Sequence, residues 1–337
     1  MLTVILGYTN MLSRENVTPQ QTQRAVQAIE KAAQHSREIT QQLLAFSRQQ
    51  VIKPTELNLN ERTDGHKEPE AKPLTQRVHD ETLKLLTGQD ALRRLELSGT
   101  AVTSAGLVHL KDLTSLQFLN VCLTAVSDDE FEHLAKLTNM RRMTICASKI
   151  TGSGFQHLNG MTQLQSINLH SAPASDMGLE AISKLTSLQR LEIVHTNVTD
   201  VGLKRLAALK NLRQLHIHGK ETTETALPFV GELKELYELD IYDHPASNQT
   251  MALVKQLPKL RMLRLFNGVF DDEGVQQLAG ILTLEELTLN SGKVTDKSVE
   301  HLATLTQLRT LNLGGTQVSD AGRKRLKELL PKVEIAP

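Results

Sequence analysis

The stretch that decides the fold is LRRLELSGTAVTSAGLVHLKDLTS, residues 92–115. Its apolar residues stand at the first, fourth and sixth positions, Leu92, Leu95 and Leu97. Stepping forward by 24 residues restores the pattern without insertion or deletion, giving ten units in all. The first column runs from Leu92 through Met140 and Leu212 to Leu308. The fourth runs from Leu95 through Ile167 and Leu239 to Leu311, and the sixth from Leu97 through Ile193 and Ile241 to Leu313. Three apolar columns in phase over ten periods mark a structural repeat.

Each unit can be taken apart physically. Positions 4 and 6 alternate with polar neighbours, the period of a half-buried strand. Position 12 is always Thr, Ser or Asp, from Thr103 to Ser319, and each is a good helix N-cap. Asp follows at Asp128, Asp176, Asp200, Asp272, Asp296 and Asp320, where a carboxylate meets the positive end of a helix. Apolar residues then recur every three positions, as in Leu203, Leu206 and Leu209. The unit is therefore strand, turn and short outer helix. One such unit cannot bury its apolar face, so neighbours must stack.

These residues resemble the leucine-rich repeat family. The tail VTDVGLKRLAAL (198–209) is most similar to the cysteine-containing subtype of F-box substrate receptors, although Thr or Ser stands at Thr100, Thr124, Ser148, Thr196 and Thr316 where that subtype has Cys or Asn. The resemblance implies an α/β leucine-rich repeat solenoid, right-handed, with about ten repeats and a parallel concave sheet over residues 74–337. Val78, Leu83 and Leu86 are in phase with Val102, Leu107 and Leu110, so a half-unit closes the N-terminal edge. Arg323, Lys324, Arg325 and Lys327 give the C-terminal edge a polar cap.

Residues 1–61 are different. Leu2, Ile5, Leu6 and Leu12 share one helical face. Thr18-Pro19 is a helix start, and Val26, Ile29, Ala33, Ile39, Leu43 and Phe46 make a second stripe. Such a hairpin has too little core to stand alone, and a second copy would complete a four-helix bundle. The words LTVILGY, ITQQLLAFSR and PTELNLNE resemble the dimerisation hairpin of hybrid sensor histidine kinases. The histidine-bearing phosphoacceptor motif of that family is missing before Leu2, and no ATP-binding domain follows. Residues 62–73 are instead a charged linker with prolines.

Net charge is zero, Trp is absent and aromatics are 3% of the 337 residues. Nothing here attracts nucleic acid, and no apolar run spans a membrane. Two cysteines and no evident signal peptide point to a cytoplasmic chain. The expected function is a non-enzymatic adaptor with no cofactor. It would hold a protein partner on the concave face and form a homodimer through residues 1–61. The alternatives are a histidine kinase fragment in a two-component phosphorelay, with the repeats as sensor or adaptor, and an F-box-like substrate receptor.

On the concave face, positions 5 and 7 bring together His216, His218, Asp240, Tyr242, Arg264 and Phe266. Tyr, Phe and Arg are frequent interface anchors. Cys122, Cys146 and His170 should form a ladder on three adjacent strands, with His195 one position aside. That set suits zinc only if a fourth ligand exists. The competing reading is that these residues fill a tight strand ladder. A disulfide across adjacent strands is conceivable but out of place in a reducing compartment.

Overall fold

A computed structural model describes residues 23, 27, 56–58, 78–219 and 221–336. The chain divides into two units, Met1–Thr55 and Glu56–Pro337. In the first, Gln23 and Gln27 are helical and exposed. The rest of the hairpin and the 62–73 linker lie outside the described residues.

The second unit is built on one twelve-stranded sheet whose strands follow chain order. They are β1 (Glu56–Asn58), β2 (Arg94–Glu96), β3 (Phe118–Asn120), β4 (Arg142–Cys146), β5 (Ser166–His170) and β6 (Arg190–Val194). They continue as β7 (Gln214–His218), β8 (Glu238–Tyr242), β9 (Met262–Leu265), β10 (Glu286–Leu289), β11 (Thr310–Asn312) and β12 (Glu334–Ala336). Every pairing is parallel, and from β2 onward each residue meets the one 24 positions later, as in Leu191 with Leu215 and Leu239 with Leu263. A slip of one residue would turn the whole apolar set outward, so the three columns hold the register. Every residue of those columns is buried. This is the α/β leucine-rich repeat solenoid that the repeat predicts.

The two end strands go beyond the ten expected. β12 aligns Ile335 with Leu311 and so opens an eleventh, truncated unit. Arg323 supports it, donating from Nη1 to the Ala336 carbonyl at 3.2 Å and from Nη2 to the Leu313 carbonyl at 3.0 Å. At the other end Leu57 pairs with Leu95 and packs on the core. Glu56–Asn58, within the span read as part of the hairpin, thus belong to the second unit. The L-x-L of PTELNLNE is compatible with a strand as well as with the kinase resemblance, and the edge of the sheet captures it. Val78, Leu83 and Leu86 are buried, as a closing half-unit requires.

Two periodic devices outside the apolar columns shape the turn of each repeat. Position 8 takes the left-handed conformation in most units, at Gly99, Leu123, Ala147, Ser171, His195, Asp243, Asn267 and Gly315. This ends the strand and turns the chain toward the outer segments, which are α-helical in some repeats (Asp176–Ile182, Asp272–Leu278) and 3-10 in others (Ser104–Leu110, Glu224–Glu232).

The second device adds to the helix-dipole reading of the aspartates, which stand in the first turn of their helices at Asp176, Asp200, Asp272, Asp296 and Asp320. Asp176 accepts from the Thr199 backbone N–H at 2.8 Å and from its hydroxyl at 2.6 Å, one repeat further on. The same rung joins Asp80 to Thr103, Asp128 to Thr151, Asp200 to Thr223, Asp272 to Thr295 and Asp296 to Ser319. Glu224 with Ser247 is the longer variant. The glycines of two D-x-G triplets, Gly202 and Gly322, make room for this carboxylate. A Cβ on Gly202 would lie 2.4 Å from Asp176 Oδ1, and one on Gly322 would lie 2.3 Å from Asp296 Oδ1.

Candidate functional site

Along the concave face the outward residues of a strand are normally part-exposed while positions 4 and 6 are buried, as on β6 and β7. β8 departs from this. Its outward-facing Glu238 and Asp240 are buried as well, at 8% and 3% exposure. Buried carboxylates must be paired to be tolerated, and here they are. Arg264 on β9 donates from Nη1 to both oxygens of Asp240, at 3.2 and 3.0 Å, and to Glu238 Oε1 at 3.1 Å. Its Nη2 reaches Glu286 Oε2 on β10 at 2.8 Å. From the other side His216 Nε2 lies 3.2 Å from Glu238 Oε1 and 3.6 Å from Asp240 Oδ2. Gln214 donates a further hydrogen bond to Glu238.

The charges answer to this arrangement. Burial alone would raise the Glu238 carboxyl, but the Gln214 hydrogen bond and the nearby His216 and Arg264 bring it below the ordinary glutamate value. Asp240, deeper, is raised by burial despite the same two neighbours. Burial works against the charged guanidinium of Arg264, yet Asp240, Glu286 and Glu238 outweigh it and raise its pKa. The ligand atoms of His216, Glu238 and Asp240 lie within 4.8 Å of one another, a donor set of the kind that holds divalent cations. In this structure Arg264 neutralises both carboxylates instead.

Beside this network runs a file of rings. His170 and His195 meet edge to face at 5.7 Å between centroids, and His195 lies 3.8 Å from His218. His218 is 6.5 Å from Tyr242, and Tyr242 stacks on Phe266 at 4.5 Å with 7° between planes. His218 Nε2 is 2.9 Å from Asp243 Oδ2, and Asn267 donates to the other Asp243 oxygen. Burial, then the Asp240 charge, raises the Tyr242 phenol.

All six residues singled out from the sequence are therefore in one place. His216, Asp240 and Arg264 are register partners, as are His218 and Tyr242. Their roles divide, however. Asp240 is too buried to meet a partner and serves the network beneath the surface. Sequence reasoning missed Glu238, Glu286, Asp243 and Asn267, and placed His195 only beside the cysteine ladder. Glu238 and Glu286 both stand at position 3 of their units, outside the positions 5 and 7 from which the site was read. His195, Asp243 and Asn267 occupy position 8, whose left-handed turn was not recognised. The glycines at Gly99 and Gly315 were the available signal.

The cysteine ladder is also corrected. Cys122 and Cys146 are joined in a disulfide between β3 and β4 edges, so neither thiolate is available to a metal. His170 turns to Ser171 and His195, with Ser171 Oγ 3.3 Å from its Nδ1. Register explains the bond. A 24-residue step places two position-7 cysteines side by side on neighbouring parallel strands, with Cα atoms 4.4 Å apart. The disulfide withdraws the support that two free thiols lent to a cytoplasmic setting.

Comparison with known proteins agrees with the geometry. A family model described as a Leucine Rich repeat matches residues 184–207 and 304–327. An internalin (inlF) from Listeria monocytogenes is similar in structure, with a TM-score of 0.57 and 23% identity, over 75% of this chain and 76% of that one. An internalin C2 (inlC2) from the same organism has a TM-score of 0.51 and 23% identity, over 71% of this chain and 92% of its own. A TDR receptor aligns with a TM-score of 0.52 and 17% identity, over 76% of this chain and 44% of that receptor. No curated protein matches the sequence. The chain has the leucine-rich repeat solenoid fold, and at these identities the structural neighbours speak for the fold alone. Among the described residues no helix is long and apolar enough to cross a membrane.

Proposed function

We propose that this protein is a non-enzymatic interaction module that docks a protein partner on the concave face around β7 to β9. The observation that carries the reading is the stacked Tyr242–Phe266 pair. Two part-exposed aromatic rings lie face to face on an open sheet, held by a buried ionic network directly beside them. Rigid aromatic surface loses little conformational entropy on binding and is enriched at interface hot spots. Glu238, Asp240 and Arg264 stiffen the strands below, so the rings are presented preorganised.

In the same reading, the hairpin ahead of β1, residues 1–55, brings two copies together and raises avidity by pairing two concave faces. The kinase-fragment alternative depends on those residues and has no support from the repeats. The F-box-like alternative rests on the repeat subtype alone. Replacing Tyr242 and Phe266 together by Ala is expected to weaken partner capture at least tenfold while thermal stability stays near that of the parent. Undiminished capture by a folded variant would put the docking surface elsewhere.

A further inference from the structure

A cleft of about 420 Å³ opens where strands β5, β6 and β7 begin. Gln165, Gln189 and Arg213 line it, each standing one residue before its strand. The backbone fixes their spacing. The Gln189 N–H donates to the Gln165 carbonyl at 2.8 Å, and the Arg213 N–H donates to the Gln189 carbonyl at 2.8 Å. Ser187 and Asn211 line the cleft too and are anchored to the repeat before their own. Ser187 Oγ donates to the Leu164 carbonyl at 2.8 Å and Asn211 Nδ2 to the Thr186 carbonyl at 2.9 Å. The cleft's one acid, Glu235, is already taken. Lys259 Nζ donates to both of its oxygens at 2.6 Å. That bond, with a smaller contribution from the Arg213 charge, holds the Glu235 carboxyl below the ordinary glutamate value. Arg261 and Arg309, further along the Arg213 column, both reach Glu285, at 3.4 and 3.5 Å. Among the described residues the side chains of Gln165, Gln189 and Arg213 have no hydrogen-bond or ion-pair partner. The cleft therefore offers a visitor two whole amides and one whole guanidinium.

We propose that this cleft binds a small hydroxylated carboxylate, a ligand of the sugar-acid class, with its carboxylate on Arg213 and its hydroxyls on Gln165 and Gln189. The volume is that of a small-molecule site, roughly 300–1,000 Å³. Such sites are mostly apolar, whereas every side chain lining this one is polar. An apolar ligand would gain no burial against it. A guanidinium fork matches a carboxylate through two parallel charge-assisted bonds. An amide both donates and accepts, as a hydroxyl does, so one glutamine can serve adjacent hydroxyls. One guanidinium balances one negative charge, and Glu235 in the same cleft disfavours a second. A peptide segment would lose chain entropy on binding and find no apolar surface here to offset it. The cleft shares no residue with the Tyr242–Phe266 pair, so this inference stands apart from the docking reading.

The test is an NMR titration of the full chain, followed at the side-chain amide signals of the glutamines. Four compounds are compared: glucuronate, glucose, acetate and a capped Gly-Ser-Glu-Ser-Gly peptide. Glucuronate is expected to shift the Gln165 and Gln189 signals saturably and to bind at least about tenfold more tightly than glucose or acetate. Arg213 is exposed, so Arg213→Gln should melt with the parent; it should weaken glucuronate about tenfold. Arg213→Lys should recover only part of that loss, since it keeps the charge without the fork. Gln189→Ala should cost about threefold. Arg325→Gln, whose guanidinium pairs with Glu300 and Glu328, should leave binding unchanged. Tyr242→Ala/Phe266→Ala should leave it unchanged too, which separates failure of the cleft from failure of the docking surface. Glucuronate no tighter than acetate, undiminished binding to Arg213→Gln, or no shift at either glutamine would overturn the proposal. Tighter binding of the peptide than of glucuronate would also overturn it, and would assign the cleft to an acidic segment.

Discussion

The Asp–Thr rungs on one side of the solenoid and the Glu238–Asp240–Arg264 cluster on the other are both polar, and they behave oppositely. The rung recurs at the repeat period, from Asp80–Thr103 to Asp296–Ser319, and each copy does the same work of clamping two neighbouring turns. The cluster occurs once among the described residues, on the strand where outward-facing acids are buried. A feature that follows the period answers to stacking, because every repeat faces the same problem. A feature that breaks the period at a cost in buried charge answers to something particular to that place.

The comparison breaks most visibly at Arg264. Arg264→Ala leaves Glu238 and Asp240 buried without their cation and is expected to cost about 3–5 kcal/mol in urea unfolding. Arg264→Met with Glu238→Gln and Asp240→Asn should recover much of that loss, which would show that the network is kept for presentation rather than stability. A next, smaller effect tests the rung. Gly202→Ala drives a Cβ against Asp176 and should cost about 1–3 kcal/mol. Asp176→Ala in the same chain removes the obstructing carboxylate. A double-mutant cycle showing no coupling between the two would sink the packing explanation.

Removing a single rung by Asp272→Ala should cost about 1 kcal/mol, since its bonds are near solvent. Burial opposes the charge of Asp272, but the hydrogen bonds from Ser298 and Thr295 hold its carboxyl below the ordinary aspartate value. A lowered carboxyl stabilises the fold above the unfolded pKa, and that contribution is lost as pH falls through the folded one. The parent and Asp272→Ala should therefore converge in stability on acidification below about pH 4.

The smallest effect concerns His244, which sits at the position where Thr100, Thr124 and Thr316 bond a carbonyl three residues back. It is 1% exposed, its Nε2 meets the Thr223 carbonyl at 3.1 Å, and its Nδ1 is buried without a partner. Burial lowers its pKa. The unfolded chain then binds the proton more readily, so stability is whole above about pH 6.5 and falls as pH drops below it. His244→Thr is expected to flatten the unfolding free energy between pH 7 and pH 5; an unchanged slope would show that His244 does not titrate with folding.

Much of this molecule was legible without coordinates. The three apolar columns named the strands, their register and the core, because burial on a parallel sheet admits only one alignment of a 24-residue period. The same counting put Tyr242 beside Phe266 and Arg264 beside Asp240. Counting could not tell which of those side chains stay at the surface. Asp240 is buried and Glu286 exposed for reasons that depend on how far Arg264 reaches across three strands. Nor could it tell that Asp176, at the start of its own helix, also clamps the next repeat, since both roles share one spacing. The cysteines were correctly placed as neighbours, and only the approach of their backbones decided for a bond. Periodic sequence thus determined everything that stacking alone governs. The tertiary structure decided how individual polar side chains share partners, because that is settled by ångström-scale distances between residues 24 or more positions apart.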